Sequence, residues 1–220
     1  MDLAAWVRAS FDHEPRDLKL FERALSHSSA GKESYERLEF LGDRVLGLCV
    51  ARWLFERFPQ EPEGKMSRRY NVLVARETCA EVGRELGVPK VIRLGKQARE
   101  DGAALSDNVV GDVVEALLGA LLLDAGLDKA EAVIRARWAG YLDSQKKAPQ
   151  HPKSQLQEVA AARNLKAPVY EVLGQFGAHH HPTFRVKVAI RGGGEAEAEG
   201  ASKQEAETAA AAALLEQLCR

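Results

Sequence analysis

The stretch YERLEFLGDRVLGLCVARWLF, residues 35–55, decides how the first part of the chain is read. At roughly 100° per residue, Leu38, Leu41, Val45, Leu48 and Cys49 line one side of a helix. Glu36, Glu39 and Asp43 fall within an arc of roughly 60° on the other side, while Arg37 and Arg44 point well to the side. Like charges one turn apart cost roughly a few tenths of a kcal/mol per pair, and solvated helices usually interleave Lys or Arg to offset them. This face has none. Gly47 lies on it one turn beyond Asp43, where a bare backbone weakens the helix and leaves room for a close approach. The stretch is either an ordinary wet face or a helix arranged for an external cation.

A second stretch, NVVGDVVEALLGALLLDAG at 108–126, is apolar on every side around Asp112 and Glu115, which marks a buried helix. No Lys or Arg occurs between Arg99 and Lys129, so no neighbour in sequence neutralises the two acids. Burying an unpaired carboxylate costs roughly several kcal/mol, and such groups are normally paired, protonated or bound to metal. A salt bridge to a distant arginine such as Arg68 or Arg76 is the competing explanation. Glu39 and Asp43 are spaced i,i+4 and Asp112 and Glu115 i,i+3, so each pair shares a helical face. Four converging carboxylates with no histidine at matching spacing suit a hard cation such as Mg²⁺ or Mn²⁺, whereas zinc or a di-iron centre would recruit His or Cys. A metal held this way can activate water and stabilise the leaving oxygen of an in-line displacement. Residue chemistry alone reaches metal-dependent phosphoryl chemistry in a helical domain.

The remaining composition narrows the class. With 45% hydrophobic residues in 220, the chain is long enough for one large core or two modest ones. A formal charge of −1 gives no global sign of a nucleic-acid or membrane partner, so any such partner must be argued locally. Three cysteines without paired spacing indicate neither a disulfide framework nor a zinc site, which fits a reducing cytoplasm. The N-terminus lacks an apolar signal segment, and the longest apolar run, near 113–123, is short and carries Glu115; neither secretion nor a membrane span is expected.

Helical spacing covers segments near 3–10, 17–26, 35–58, 66–87, 107–125 and 128–142, and no strand is needed there. The polar stretch DSQKKAPQHPKSQ, from 143, reads as a linker. A helix from about Lys153 to Arg163 follows, then PVYEVLGQFG and TFRVKVAIRGGG. In the latter, Phe184, Val186, Val188 and Ile190 alternate with Arg185, Lys187 and Arg191, the pattern of a half-buried strand. A third short strand alternates Ala196 and Ala198 with Glu195, Glu197 and Glu199. SKQEAETAAAAALLEQL closes as a helix with Ser202 and Glu205 in an S-x-x-E capping box, and its alanine run at 209–213 suits close helix-to-sheet packing.

ERLEFLGDRVL (36–46), EGKMS (63–67), GDVVEALLGA (111–120) and the C-terminal α-β-β-β-α unit together closely resemble bacterial ribonuclease III over nearly the whole chain. The resemblance implies a multidomain protein. An all-α endonuclease and dimerisation domain spans 1–142, a linker 143–152, and a small α+β double-stranded RNA-binding domain 153–220. Carried over by position, Glu39, Asp43, Asp112 and Glu115 match the family's metal-binding acids, with Asp43 and Glu115 catalytic. Glu36 and Glu63 match accessory acids of its cleavage valley. Gln157, Glu158 and His180 match positions that reach RNA minor grooves, and Lys203 one that meets phosphates across the major groove, as A-form duplexes are read. The resemblance also implies Mg²⁺ as cofactor, with Mn²⁺ able to substitute. It implies a homodimer cutting both strands of duplex RNA to 5′-phosphate and 3′-hydroxyl ends with short 3′ overhangs, in cytoplasmic processing of rRNA precursors and mRNA.

The sequence departs from the family pattern at four places. Arg44 replaces a small residue, Tyr70 stands where arginine is common, and Pro182 and Gln204 stand where lysines are usual. Residues 151–220 hold eight Lys plus Arg against eight Asp plus Glu, so the basic excess expected of an RNA-binding domain is missing and modest affinity is expected from it. Two other readings compete: a duplex-binding protein with a silent nuclease fold, which the presence of all four acids disfavours, and a phosphohydrolase of small molecules, which the C-terminal domain disfavours.

Overall fold

The computed structural model describes residues 2–31, 33–145, 148–149, 151–176 and 182–219. The chain divides into two compact units, Met1–Pro149 and Gln150–Arg220. The first is built from α1 (Leu3–Phe11), α2 (Leu18–Ala24), α3 (Glu36–Arg57), α4 (Glu63–Leu73), α5 (Arg76–Glu85), α6 (Val88–Val91), α7 (Lys96–Glu100), α8 (Asp107–Ala125) and α9 (Leu127–Ser144). Aspartates start the first two helices: Asp2 accepts from the Ala4 amide at 3.0 Å and Asp17 from the Lys19 amide at 3.0 Å.

Helices α3 and α8 form the centre, and two glycines set how closely they cross. A Cβ placed on Gly42 would lie 1.7 Å from the Glu115 carbonyl oxygen, and one on Gly119 would lie 2.3 Å from the Leu38 carbonyl oxygen. The backbones are therefore in direct contact, a distance that only glycine permits. Around this crossing α8 is buried on all sides, from Val110 through Val113, Val114, Leu117 and Leu118 to Leu121, as its apolar sequence predicts.

Three local expectations are corrected by the packing. The helix read over 66–87 is broken: Ala75 is extended (φ −63°, ψ 145°), separating α4 from α5. Thr78 Oγ1 donates to the Val72 carbonyl at 2.6 Å, taking up one of the carbonyls left over where α4 ends. The redirected α5 lays Gly83 against Val110 and Val114 of α8, so the break serves a tertiary contact and carries no Gly or Pro signal. Leu48, read as part of the apolar seam of α3, is 58% exposed. The space beside Gly47 is taken by the Tyr70 hydroxyl, which a Cβ there would approach to 2.7 Å.

Arg69 closes the far end of this unit. It is 2% exposed, meets both Glu61 carboxylate oxygens at 2.7 and 2.8 Å, donates to the Gln145 carbonyl at 2.6 Å and lies 4.0 Å over the Phe58 ring. A buried guanidinium with this many partners fixes the ends of α3, α4 and α9 together. No described helix is long and apolar enough to cross a membrane.

The second unit runs α10 (Pro152–Ala162), β1 (Val169–Phe176), β2 (Thr183–Ile190), β3 (Gly194–Gly200) and α11 (Lys203–Cys219), with the strands antiparallel in the order β1-β2-β3. Val186, Val188 and Ile190 face inward as the alternation predicts. Val188 and Ile190 share the core with Leu156, Ala160, Ala210, Ala211 and Leu214. The alanine run thus works as close helix-to-sheet packing. Ser202 accepts from the Glu205 amide at 3.1 Å, and the Glu205 carboxylate accepts from the Ala201 amide at 2.8 Å, forming the expected cap one residue further back.

Gly42→Ala tests the central crossing. Its methyl group has backbone rather than a flexible side chain to displace, so the nuclease unit should lose about 3 kcal/mol or more. Urea denaturation of the full chain measures this, and an unchanged midpoint would show that the helices separate easily.

Candidate active site

The α3–α8 crossing brings the two acid pairs to one place. Glu39 from α3 and Asp112 and Glu115 from α8 line a polar pocket of about 210 Å³, with Val74, Arg76 and Gly111 completing its wall. Gly111 lets the start of α5 close in: a Cβ there would meet the Arg76 carbonyl at 3.3 Å and its Cγ at 3.4 Å.

These carboxylates hold protons more tightly than usual. Burial pushes Glu115 up to about 7, with Asp43, Glu39 and Asp112 adding repulsion in that order and Arg76 opposing. Glu39 is raised by burial and then by Asp112, Glu36 and Asp43. Asp112 is raised by burial, against which Tyr35, Arg76 and His27 act. Buried Tyr35 donates its hydroxyl to Asp112 Oδ2 at 3.3 Å, and burial beside that carboxylate keeps the phenol firmly protonated. Arg76 therefore faces the acids without a hydrogen bond to them, so the salt-bridge explanation for the buried pair is met only by a long-range field.

Asp43 is placed differently. It does not line the pocket; its Oδ2 accepts from Arg44 Nη1 at 2.7 Å, and about half of its side chain is exposed. Glu36 is exposed at the start of α3, its charge felt by Glu39. Glu63 begins α4, accepts from Ser67 Oγ at 2.5 Å, and lines a separate groove with Ala51, Leu54, Phe55, Met66 and Tyr70. The structure does not bring Glu63 to the four acids.

The donor set is all carboxylate oxygen, and the charge of the three acids lining the pocket is offset by Arg76 at its wall without a hydrogen bond, which fits a hard divalent cation. As placed, no three acidic, His or Cys side chains among the described residues are gathered tightly enough to enclose an ion.

In the second unit, Gln157 and Glu158 lie exposed on α10 and Lys203 is exposed at the first turn of α11, where the helix N-terminus already favours phosphate. His180 lies outside the described residues. Several cations here are committed to acids: Lys153 to Glu207, Arg185 to Glu199 and Lys187 to Glu195. Sequence reasoning missed Tyr35, whose only signal is its place directly before the acidic helix, and it did not foresee the partner of Arg44.

A helical unit presenting four carboxylates, followed in the same chain by an α-β-β-β-α unit, defines a class: metal-dependent nucleases that carry a double-stranded RNA-binding domain. A family profile described as Ribonuclease-III-like matches residues 17–142, and one described as Double-stranded RNA binding motif matches residues 152–218. Ribonuclease 3 of Zymomonas mobilis is 54% identical over 216 residues, covering 98% of this chain and 88% of that protein. Ribonuclease 3 of Rhodobacter capsulatus is 44% identical, covering 90% and 88%. The crystal structure of the nuclease domain of the Campylobacter jejuni enzyme superposes with a TM-score of 0.61 at 31% identity, over 64% of this chain and 97% of that one. The chain belongs to the ribonuclease III family, whose members depend on divalent metal.

The raised acids make stability depend on pH. Between about 4.5 and about 7 the folded chain keeps a proton on Glu115 that the unfolded chain releases, so stability falls as pH rises through that window. In EDTA, the melting temperature should fall between about pH 5 and about pH 8, and Glu115→Gln should flatten the fall, being more stable than the parent only at the upper end. Mg²⁺ should raise the parent's melting temperature most at the upper end. Parallel curves for the two proteins would refute the link.

Proposed function

We propose that this chain is a homodimeric endoribonuclease that hydrolyses phosphodiester bonds in double-stranded RNA, using Mg²⁺, with Mn²⁺ able to substitute. The observation that carries the reading is the convergence of two acid pairs on backbones held in contact by Gly42 and Gly119, in a chain that also carries a duplex-binding fold. Glu39, Asp43, Asp112 and Glu115 are the residues that would hold the cation, and Asp43 and Glu115 the catalytic pair. When bound, the cation supplies Lewis acidity that activates water and stabilises the leaving oxygen.

The protein's own groups do the rest. Tyr35 holds one oxygen of Asp112 by its hydrogen bond, which limits the directions that carboxylate can take. Arg76, at the pocket wall, attracts the phosphodiester to a site whose acids alone would repel it. Water attacks phosphorus in line, the bond from phosphorus to the 3′ oxygen breaks, and the products are a 5′-phosphate and a 3′-hydroxyl. Glu36 and Glu63 are assigned as accessory acids of the cleavage valley.

Two such sites across one duplex give staggered cuts with short 3′ overhangs. The dimer reading is supported by α3, where Phe40, Leu48 and Phe55 are 64%, 58% and 71% exposed on one face. A related structure from Campylobacter jejuni describes flexibility in the region involved in dimer formation of its nuclease domain. In this reading residues 1–142 are the nuclease and dimerisation domain, 143–152 the linker and 153–220 the RNA-binding domain, with Gln157, Glu158 and His180 in minor grooves and Lys203 on phosphates. The setting is the cytoplasm and the substrates are rRNA precursors and mRNA.

Glu115→Gln should bind duplex RNA as the parent does and cut it at least about 10³-fold more slowly, because one ligand and its charge are lost together. An end-labelled, fully paired RNA incubated with Mg²⁺ or EDTA reads this out, and unchanged turnover would remove Glu115 from the site. Lys203→Ala, measured in the Glu115→Gln background, should weaken binding and lower the salt dependence of log K by about one unit. An unchanged slope would place the duplex on another surface.

A further inference from the structure

The break that seats α5 on α8 also delivers a cation to the acid pocket. Ala75 is extended and α5 starts at Arg76, which lines the pocket beside Glu39, Asp112 and Glu115. Its stem lies against Gly111, the residue before Asp112: a Cβ on Gly111 would come within 3.4 Å of Arg76 Cγ. Arg69, Arg84 and Arg93 of the same unit are bound to Glu61, Asp107 and Glu22. Arg76 forms no ion pair among the described residues, and it acts on Glu39, Asp112 and Glu115 through its charge alone, with no hydrogen bond to any of them. Its donors are left for another anion.

We propose that Arg76 is a catalytic residue: its guanidinium holds a non-bridging oxygen of the scissile phosphodiester while water attacks phosphorus, and Gly111 is the positioning residue that gives its stem room. The proposal rests on the reading of the four acids as the metal site of a nuclease, and deepens it by replacing attraction at a distance with contact.

Contact and field differ in magnitude. Arg76 is exposed, and at physiological salt an exposed charge is screened beyond about 8 Å, so attraction alone contributes little once the duplex is bound. A guanidinium against phosphate beneath a bound duplex acts in a lower dielectric, and its planar fork matches the phosphate oxygens. Donors fixed on the transferring phosphoryl group before the reaction need no reorganisation during it. The same positive charge also faces any cation that the acids hold. Arg76 therefore supports the reaction while opposing metal binding, a combination that a residue merely supporting the metal site would not show.

Single-turnover cleavage of a short, fully paired RNA by the full-length protein at saturating Mg²⁺ tests the contact. Arg76→Ala should lower the maximal rate about 10²-fold and shift the half-saturating protein concentration by less than about threefold. Titrated with Mn²⁺ without RNA, with free Mn²⁺ read by electron paramagnetic resonance, the same variant should bind at least as tightly as the parent. Arg76→Lys, which keeps the charge without the fork, should stay at least about tenfold below the parent rate. Gly111→Ala, which crowds Arg76, should slow the parent about threefold and slow Arg76→Ala no further. Lys19→Ala, which removes an exposed charge from α2, should change neither rate nor metal binding. An unchanged maximal rate in Arg76→Ala overturns the contact, as does full recovery in Arg76→Lys or an equal loss in Lys19→Ala, since charge alone would then act. Weaker Mn²⁺ binding by Arg76→Ala also overturns it, because the arginine would then be a support of the metal site. Equal slowing by Gly111→Ala in both backgrounds removes its positioning role. Failure of the underlying reading looks different: the parent neither cuts duplex RNA nor binds Mn²⁺.

Discussion

The contact between the backbones of α3 and α8 is the constraint on which the rest of the nuclease unit depends. Gly42 packs on the carbonyl of Glu115 itself, so the residue that brings the helices together also fixes the height of an acid relative to Glu39 and Asp43. Each acid pair is local to one helix, and only the crossing makes four of two. A wider crossing filled by alanines would stabilise the core through added apolar contact yet part the acids. The pair of glycines gives up helix propensity on both helices and secures proximity of charge in return.

That proximity is unfavourable by itself. Glu115 at about 7, with Glu39 and Asp112 also raised, describes a site that resists its own ionisation, and the field of Arg76 offsets only part of the repulsion. The surrounding core tolerates this because it is extensive, reaching from Phe21 through Val45 and Leu117 to Trp138. A bound divalent cation would relieve repulsion at each carboxylate while gaining ligands, whereas a proton relieves only the group that takes it. The repulsion among these carboxylates is what a bound cation would relieve, which is why so unfavourable a grouping can persist in a folded core.

How much of this the sequence discloses depends on whether the cause is local. The acid pairs and the buried character of α8 are legible because both follow from helical period and from the lack of any basic residue between Arg99 and Lys129. The break between α4 and α5 is not, because it is made by Gly83 seating on α8 rather than by any residue at 74 or 75. Leu48 misleads for a related reason: an apolar residue left exposed on a helix and one facing the core carry the same pattern. Arg44 is visible as a departure from the family, but its bond to Asp43 is a matter of rotamer, which no periodicity encodes. The RNA-contacting residues of the second unit have no chemical signature of their own and are assigned by resemblance alone.

The second unit shows the opposite use of charge. Across its sheet, Arg185 is answered by Glu199 and Lys187 by Glu195, and Lys153 of α10 by Glu207 of α11. Each pair removes a cation from the supply available to phosphate, so the formal balance of eight against eight understates how selectively positive charge is left. Lys203 keeps its charge at a helix N-terminus without an ion pair among the described residues. Counterion release scales with the number of phosphates neutralised, so each cation already answered by an acid lowers the number of phosphate contacts this unit can make.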